Sequence, residues 1–530
     1  MTALPSSYEA VPYPDFVHPR TNPESIAAMV RLFGVSAACP LGEPCRVLEL
    51  GCGQAGNLIS LASLFPESQF LGVDLSPGHI AAGQLAIDEL GMTNIELRQG
   101  DLADFPTPGP GDDERAKFDY VLVHGVYSWV PEEARQHILR ICRDHLSRRG
   151  VALISYNTLP GWQAKGLVRE IIQYHGSVHP GEPLQTVREA KRFLADLAES
   201  VPDSTGYGKM LREQFQALCQ SDEAYLFHEQ FEAVNEPRYF HQFISEIEAV
   251  DLQFVCESSF AFVPSQSAGI QRRMQSAPLL EREQTIDFLC NRTFRQSLIV
   301  RSDSGAQRGR EADSDAISEL FLSSEVSCFD VDDVPLVDSL PEGEMRIANP
   351  DGASATLRGR STMAVMLRLS QIRPAAESFE QLWQHVLATV AGCEDSNAVR
   401  TVLREDLLQL AQVSMVRFHT GPLPLTHAVS AKPQASQLAQ WQAARDNVVT
   451  SRLHQAIRLD EATRTMIGLC NGENGLEEII TGMMQFVSRE GVSLQHEGQP
   501  VTDPNLLRTL VAEKVPANLK NLAEMGFLER

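Results

Sequence analysis

Between Cys45 and Asn157 short β-rich runs alternate with amphipathic helical ones, and no other feature of this 530-residue chain narrows its fold as far. CRVLEL, QFLGVDL, NIELRQGD, FDYVLVHG and VALISYN read as strands; GNLISLASLF, SPGHIAAGQLAIDELG and PEEARQHILRICRDHLSRRG read as helices. A strand that returns parallel to its predecessor needs a crossover, and a helix lying on the sheet supplies it. The order β-α-β-α-β-β-α-β therefore predicts an α/β fold with a doubly wound, mostly parallel sheet. Ser76 and Pro77 read as N-cap and first residue of one helix, Pro131 opens another, and Gly91 and Gly150 read as positions just past helix ends.

The chain is longer than the roughly 250 to 300 residues at which a single core stops growing, so at least two domains are expected. Residues 163–245 are helical in pattern, and DLQFVCESSFAFV and TFRQSLIVR then read as two strands that return to the sheet. The helical block is thus an insertion, suited to a lid or a dimer contact. SDSGAQRGREADSD, residues 302–315, reads as a linker, and residues 311–345 carry eleven acids and no Lys or Arg, the pattern of a solvated acidic connection. Residues 360–420 look helical, and the tail from 428 contains short helices compatible with a winged-helix-like module. The predicted organisation is a catalytic domain over 1–162 and 246–302, an inserted lid or dimerisation bundle over 163–245, an acidic linker and middle domain over 303–427, and a C-terminal domain over 428–530.

A formal charge of −24 opposes a basic surface for phosphate backbones or anionic membranes, so neither nucleic acid nor a membrane is an expected partner. The opening residues carry no basic-then-apolar leader, and no run approaches the ~18 apolar residues that span a bilayer, which points to the cytoplasm. Ten scattered cysteines form no C-x-x-C pair and no cluster with histidine, so reduced thiols are expected and no metal is.

Gly51, Gly53 and Gly56 satisfy G-x-G-x-x-G between a strand and a helix, where backbone can approach a nucleotide-like ligand closely. Dinucleotide oxidoreductases and enzymes using S-adenosylmethionine share this loop. Glu49, two residues before it, suits a ligand carrying an ammonium and a sulfonium and would repel a pyrophosphate. Asp74 ends the second strand, where a carboxylate accepts both ribose hydroxyls in either class. Asp101 ends the third strand, placed to accept from the adenine amine, with Gly100 leaving room for the base.

On these residues the chain resembles the class I S-adenosylmethionine-dependent methyltransferases. That resemblance implies a Rossmann-like seven-stranded sheet with RQSLIVR as its antiparallel last strand. It also implies a cofactor set of Tyr13, Glu49, Gly51, Cys52, Gly53, Asp74, Leu75, Gly100, Asp101, Leu102 and His124. The fourth strand does not end in the Asn/Asp-Pro-Pro-aromatic motif of nucleobase or glutamine methylators; His124, Tyr127, Ser128 and Trp129 stand there instead. Aromatic faces can orient a lysine ammonium through cation-π attraction, worth about 0.5 to 2 kcal/mol.

The runs YEAVPYP, VHGVYSWVP, SYNTLPGW, NEPRYFHQF and LAQWQAARDNVVTSRLHQAIRLD resemble methyltransferases carrying a methyltransferase regulatory domain, and within them the rickettsial-type protein lysine methyltransferases. This wider resemblance implies a protein lysine as acceptor and a homodimer built on the inserted helices, with C-terminal domains overhanging the site. Tyr8 and Tyr13 would cover the cofactor, and Asn157 and Trp162 would lie at the substrate mouth. The candidate catalytic residues are His124, Tyr127, Trp129 and Asn157; His124, Tyr127 or His241 could take the lysine proton, as could water. A small-metabolite methyltransferase, a cofactor-binding regulator without turnover and a nicotinamide oxidoreductase are the rival readings.

Overall fold

The computed structural model describes residues 10–39, 41–106, 117–260, 267–426, 428–489, 495–496, 499–501 and 503–529. Helix α1 (Pro23–Leu32) comes first, its N-terminus capped by the Asn22 side chain. There follow β1 (Arg46–Leu50), α2 (Gly56–Leu64), β2 (Gln69–Asp74), α3 (Pro77–Leu90), β3 (Ile95–Gln99), β4 (Phe118–Val123), α4 (Glu132–His145) and β5 (Leu146–Asn157). These five strands pair parallel, as the alternating pattern requires. β1 and β4 are buried on both faces, which is why they read as continuous apolar runs.

The capping chemistry of α3 is as expected: the Ser76 side chain accepts from the His79 N–H, and Gly91 closes the helix at φ 64°. Gly150 is a correction. α4 ends at His145 and Gly150 lies inside β5, where the register against β4 shifts between Phe118 and Tyr120. A Cβ there would stand 2.9 Å from the Phe118 carbonyl oxygen, so the glycine serves close approach of two strands at a bulge.

Four helices, α5 (Trp162–Val178), α6 (Pro183–Ser200), α7 (Gly206–Cys219) and α8 (Glu223–Phe231), form a bundle on a core of their own that includes Val168, Ile172, Leu194 and Leu211. The next, α9 (Phe240–Glu248), instead buries Phe240, Phe243 and Ile247 in the core on one face of the sheet. After it come β6 (Leu252–Glu257), α10 (Ala268–Ser276), α11 (Leu279–Cys290) and β7 (Phe294–Arg301). The sheet order is β3-β2-β1-β4-β5-β7-β6, with β7 antiparallel to both neighbours, which bears out RQSLIVR as the antiparallel strand ending the catalytic fold.

The acidic stretch is not a solvated connection. Ile317, Leu320, Leu322, Val326 and Cys328 are core residues there, beneath the helices Arg360–Gln371, Phe379–Thr389 and Asn397–Gln412. Its carboxylates pair with arginines from elsewhere: Glu311 with Arg282, Asp315 with Arg404, Glu325 with Arg417 and Asp333 with Arg346. Arg346 stands just past the stretch, whereas Arg282, Arg404 and Arg417 come from other segments that counting charges along the chain does not connect to it. The C-terminal region has its own core around Ile467, Ile479, Val515 and Leu522, and it docks on α3 through Gln437, Trp441 and Arg445.

Candidate active site

At the carboxyl end of β1 the chain turns through Gly51 at φ 73° and Gly53 at φ 55°, and Ala55, also left-handed, opens α2. Gly51 has a second reason to lack a side chain, because a Cβ would meet Val126 Cγ2 at 2.4 Å. Asp74 locks the turn: one carboxylate oxygen accepts from the Gly53 N–H at 2.8 Å and the other from the Ser76 N–H at 2.9 Å. The Asp15 carboxylate accepts from the Gly56 N–H at 3.0 Å, at the helix N-terminus.

Glu49 is buried beneath this turn. One oxygen accepts from Asn57 Nδ2 at 2.8 Å, while the other has no hydrogen-bond partner. Burial, together with the nearby Asp15 and Asp74 carboxylates, outweighs the Asn57 bond and pushes the Glu49 carboxyl up to about 8. Cys52 is buried, and its N–H donates to the Val73 carbonyl. Leu75 stands 58% exposed beside Asp74, and the Gly100 N–H donates to the Asp74 carbonyl at 2.9 Å. Exposed Asp101 accepts from the Ala103 N–H and so caps its own turn, and Leu102 packs on the sheet core behind it. Tyr13 lies across the loop, with its carbonyl accepting from Gln54 Nε2. Tyr8 lies outside the described residues.

His124, at the end of β4, stacks on His18 with ring centroids 3.7 Å apart and meets Gln296 Nε2 at 2.9 Å. Burial and the facing His18 ring hold it well below the usual imidazole range, so it is neutral at physiological pH. Beside it an open-sided cavity of about 370 Å³ is lined by Arg20, Glu257, Arg292, Phe294 and Gln296.

The other candidates do not join this group. Tyr127 is fully buried against Phe243, and its hydroxyl donates to Glu246 Oε2 at 2.6 Å, a core contact with α9. Trp129 packs edge-on against Trp162, and its face is occupied by the Arg169 guanidinium at 5.6 Å, while Lys165 covers Trp162. A helix-entry packing role fits both rings, since an internal cation holds the face a lysine would need. Asn157 is buried, with its N–H donating to Ser128 Oγ and its side chain reaching Asn235. His241 lies on α9 against Gln284 and Tyr239.

Sequence reasoning missed Asp15, His18, Asn57 and Gln296. The PYPDFVHPR run holds the first two, and its three prolines were the only local sign of a fixed path. Nothing near Asn57 or Gln296 distinguishes them from ordinary helix and strand residues.

Family models match three parts of the chain: a methyltransferase domain over residues 48–152, a predicted methyltransferase regulatory domain over 222–301, and a PKMT C-terminal winged helix domain over 431–527. An uncharacterized Rickettsia prowazekii protein, RP789, is 27% identical over 511 residues, 94% of this chain and 90% of its own length. A second, RP028, is 36% identical over 242 residues, 45% of this chain and 93% of its own. The solved structure of PKMT2 from Rickettsia typhi in complex with AdoHcy superposes with a TM-score of 0.84 at 24% identity, covering 98% of this chain and all of that one, a likeness of fold.

Proposed function

This chain belongs to the bacterial methyltransferases that join a methyltransferase domain to a methyltransferase regulatory domain and a PKMT-type winged helix, and from that premise we propose that it methylates lysine side chains of protein substrates with S-adenosylmethionine. One observation carries the reading: Glu49 is buried at the glycine turn with a carboxylate oxygen that has no partner. Such an oxygen suits a cationic ligand and penalises a pyrophosphate, which disfavours a nicotinamide cofactor. Nothing stands within 4 Å of the Cβ positions at Gly53 and Gly100, so the residues fit a ligand lying over both turns. When bound, the cofactor supplies a methyl group activated on a sulfonium.

In this reading Glu49 faces the amino-acid end of the cofactor, Asp74 its ribose and Asp101 its adenine. Gly51, Cys52 and Gly53 form the floor, Leu75 and Leu102 flank the base at Gly100, and Tyr13 covers the loop. His124 borders the acceptor. Its depressed basicity, and a Tyr127 phenol pushed upward first by burial and then by Glu246, make both poor proton acceptors, which supports loss of the lysine proton to water. The protein then acts by positioning the amine.

The test is to incubate the protein with isotope-labelled S-adenosylmethionine and a bacterial extract and to locate the label by mass spectrometry. Label on lysine side chains is expected; label in small molecules alone would overturn the protein-substrate reading. Cofactor affinity should also depend on pH. Glu49 is mostly protonated below about 8 in the free protein, and a bound cation lowers its pKa. Binding therefore releases a proton, and affinity rises with pH until it levels near 8. Calorimetry in two buffers of different ionisation enthalpy should report that proton; identical heats would reject the assignment of Glu49.

The reading extends to a cytoplasmic homodimer. None of the ten cysteines is joined in a disulfide, which fits a reducing compartment, and no helix among the described residues is long and apolar enough to cross a membrane. Leu167, Tyr174 and Val178 lie on one face of α5 and are 38%, 68% and 52% exposed, a patch suited to a copy of the same bundle. The double variant Leu167→Glu, Tyr174→Glu should sediment as a monomer where the parent chain is a dimer; an unchanged mass would move the interface elsewhere.

A further inference from the structure

Asn57, on α2 directly behind the glycine turn, has its side-chain oxygen held from two parts of the chain, the N-terminal segment and the C-terminal domain. Its side-chain oxygen accepts from the His18 N–H at 3.0 Å and from His454 Nε2 at 3.0 Å; the Thr21 hydroxyl stands 3.1 Å away, but its one proton has a nearer acceptor in the His18 carbonyl at 2.8 Å. With the oxygen so engaged, the amide's NH₂ is committed to the other side, where it donates to Glu49 at 2.8 Å. The orientation of the Glu49 carboxylate therefore depends on what occupies the oxygen of Asn57.

His454 belongs to the C-terminal winged helix, in the turn between the strands Val448–Thr450 and Ala456–Arg458. It is fully buried at a positive φ of 56°, a conformation that costs free energy for a residue with a side chain. Ser60, also on α2, meets its Nδ1 at 2.8 Å, so Nδ1 accepts from the hydroxyl and Nε2 carries the proton given to Asn57. Docking of the domain does not need this contact, because Leu438 joins the core under the sheet and Trp441 and Arg445 both reach Glu89. A buried, strained histidine that adds one donor to Asn57 is more than a domain anchor requires.

We propose that His454 is a positioning residue for the cofactor site, through which the winged helix sets cofactor affinity by fixing Asn57 and, through it, Glu49. The inference rests on the cofactor reading above. When the winged helix shifts, the Asn57 oxygen keeps the His18 N–H but loses the His454 donor, and the amide that directs the Glu49 carboxylate is held less firmly. The methyltransferase domain and the C-terminal domain thus share one hydrogen-bonded chain through Asn57 and His454, which are 397 residues apart in sequence.

The experiment measures S-adenosylhomocysteine binding by calorimetry on the full chain, its His454→Ala variant and its His454→Gln variant, with thermal melts alongside. Gln places an N–H donor near the position of Nε2, so it restores the bond to Asn57 while giving up Ser60. His454→Ala is expected to bind about tenfold more weakly and His454→Gln within about threefold of the parent, a difference on the scale of one buried hydrogen bond. A lower melting temperature with unchanged affinity in His454→Ala overturns the proposal, as does a Gln variant as weak as the Ala one. If His454→Ala does not fold, His454→Phe makes the same comparison by keeping a buried ring while removing the donor to Asn57, and full retention of affinity there overturns it. Failure of the parent chain to bind S-adenosylhomocysteine overturns the cofactor reading itself and the inference with it.

Discussion

Replacing Arg295 by methionine is expected to destabilise the methyltransferase domain by about 3 to 5 kcal/mol, read as a lower midpoint of its urea transition. Arg295 is 1% exposed at the start of β7. Its guanidinium donates to both oxygens of Asp287, at 2.8 and 3.0 Å, and to Glu257 at 2.7 Å, and it lies 4.1 Å from the Phe240 ring centroid. Methionine fills much of the volume but removes the main cation from two buried carboxylates, leaving Asp287 only Arg292, at 3.1 Å. Burial already pushes Asp287 up to about 6 against the pull of Arg295, and it pushes Glu257 up too, although there the arginines win and hold it below its ordinary value.

Without Arg295 the Asp287 pKa, already above that of the unfolded chain, rises further, and that of Glu257 moves up with it. An acid raised in this way favours the fold only while protonated, so the variant should lose stability as pH rises from 5 to 8, and its deficit against the parent should be larger at pH 8. A deficit under ~1 kcal/mol at both pH values would mean that packing alone holds β7. The adjacent Gln296 contacts His124, so a looser β7 start should also disturb the site.

Asp74→Ala should weaken binding of S-adenosylhomocysteine by about 1 to 3 kcal/mol, roughly fivefold to 150-fold in Kd. Two losses combine: stranded ribose hydroxyls on the ligand, and release of the Gly53 and Ser76 N–H groups that the carboxylate now holds. Asp74→Asn separates them, since its one amide oxygen can keep one loop bond. Unchanged affinity in the alanine variant would remove Asp74 from the cofactor site.

The places where sequence reasoning succeeded and failed divide by the range of the physics involved. Strand and helix periodicity, the cap at Ser76 and the left-handed turns at Gly51 and Gly91 depend on neighbours a few residues away, so they were legible. Acids at the ends of β1, β2 and β3 were legible for the same reason, because strand ends can be counted. Whether Tyr127 and Trp129 orient a lysine or pack at a helix entry was open in the sequence, because their partners, Glu246 and Arg169, come from other helices. The acidic stretch was misjudged because the arginines that pair with it lie far off in the chain.

The sequence alone determined a doubly wound methyltransferase sheet, its glycine turn and the acids around it, since each is dictated by local backbone preference and the period of apolar residues. Only the tertiary structure decided that Glu49 keeps an unpartnered oxygen, that His18 stacks on His124, and that His454 reaches Asn57 from the far end of the chain. Those are matters of which groups burial brings together and leaves unsatisfied, and a one-dimensional pattern carries no record of that.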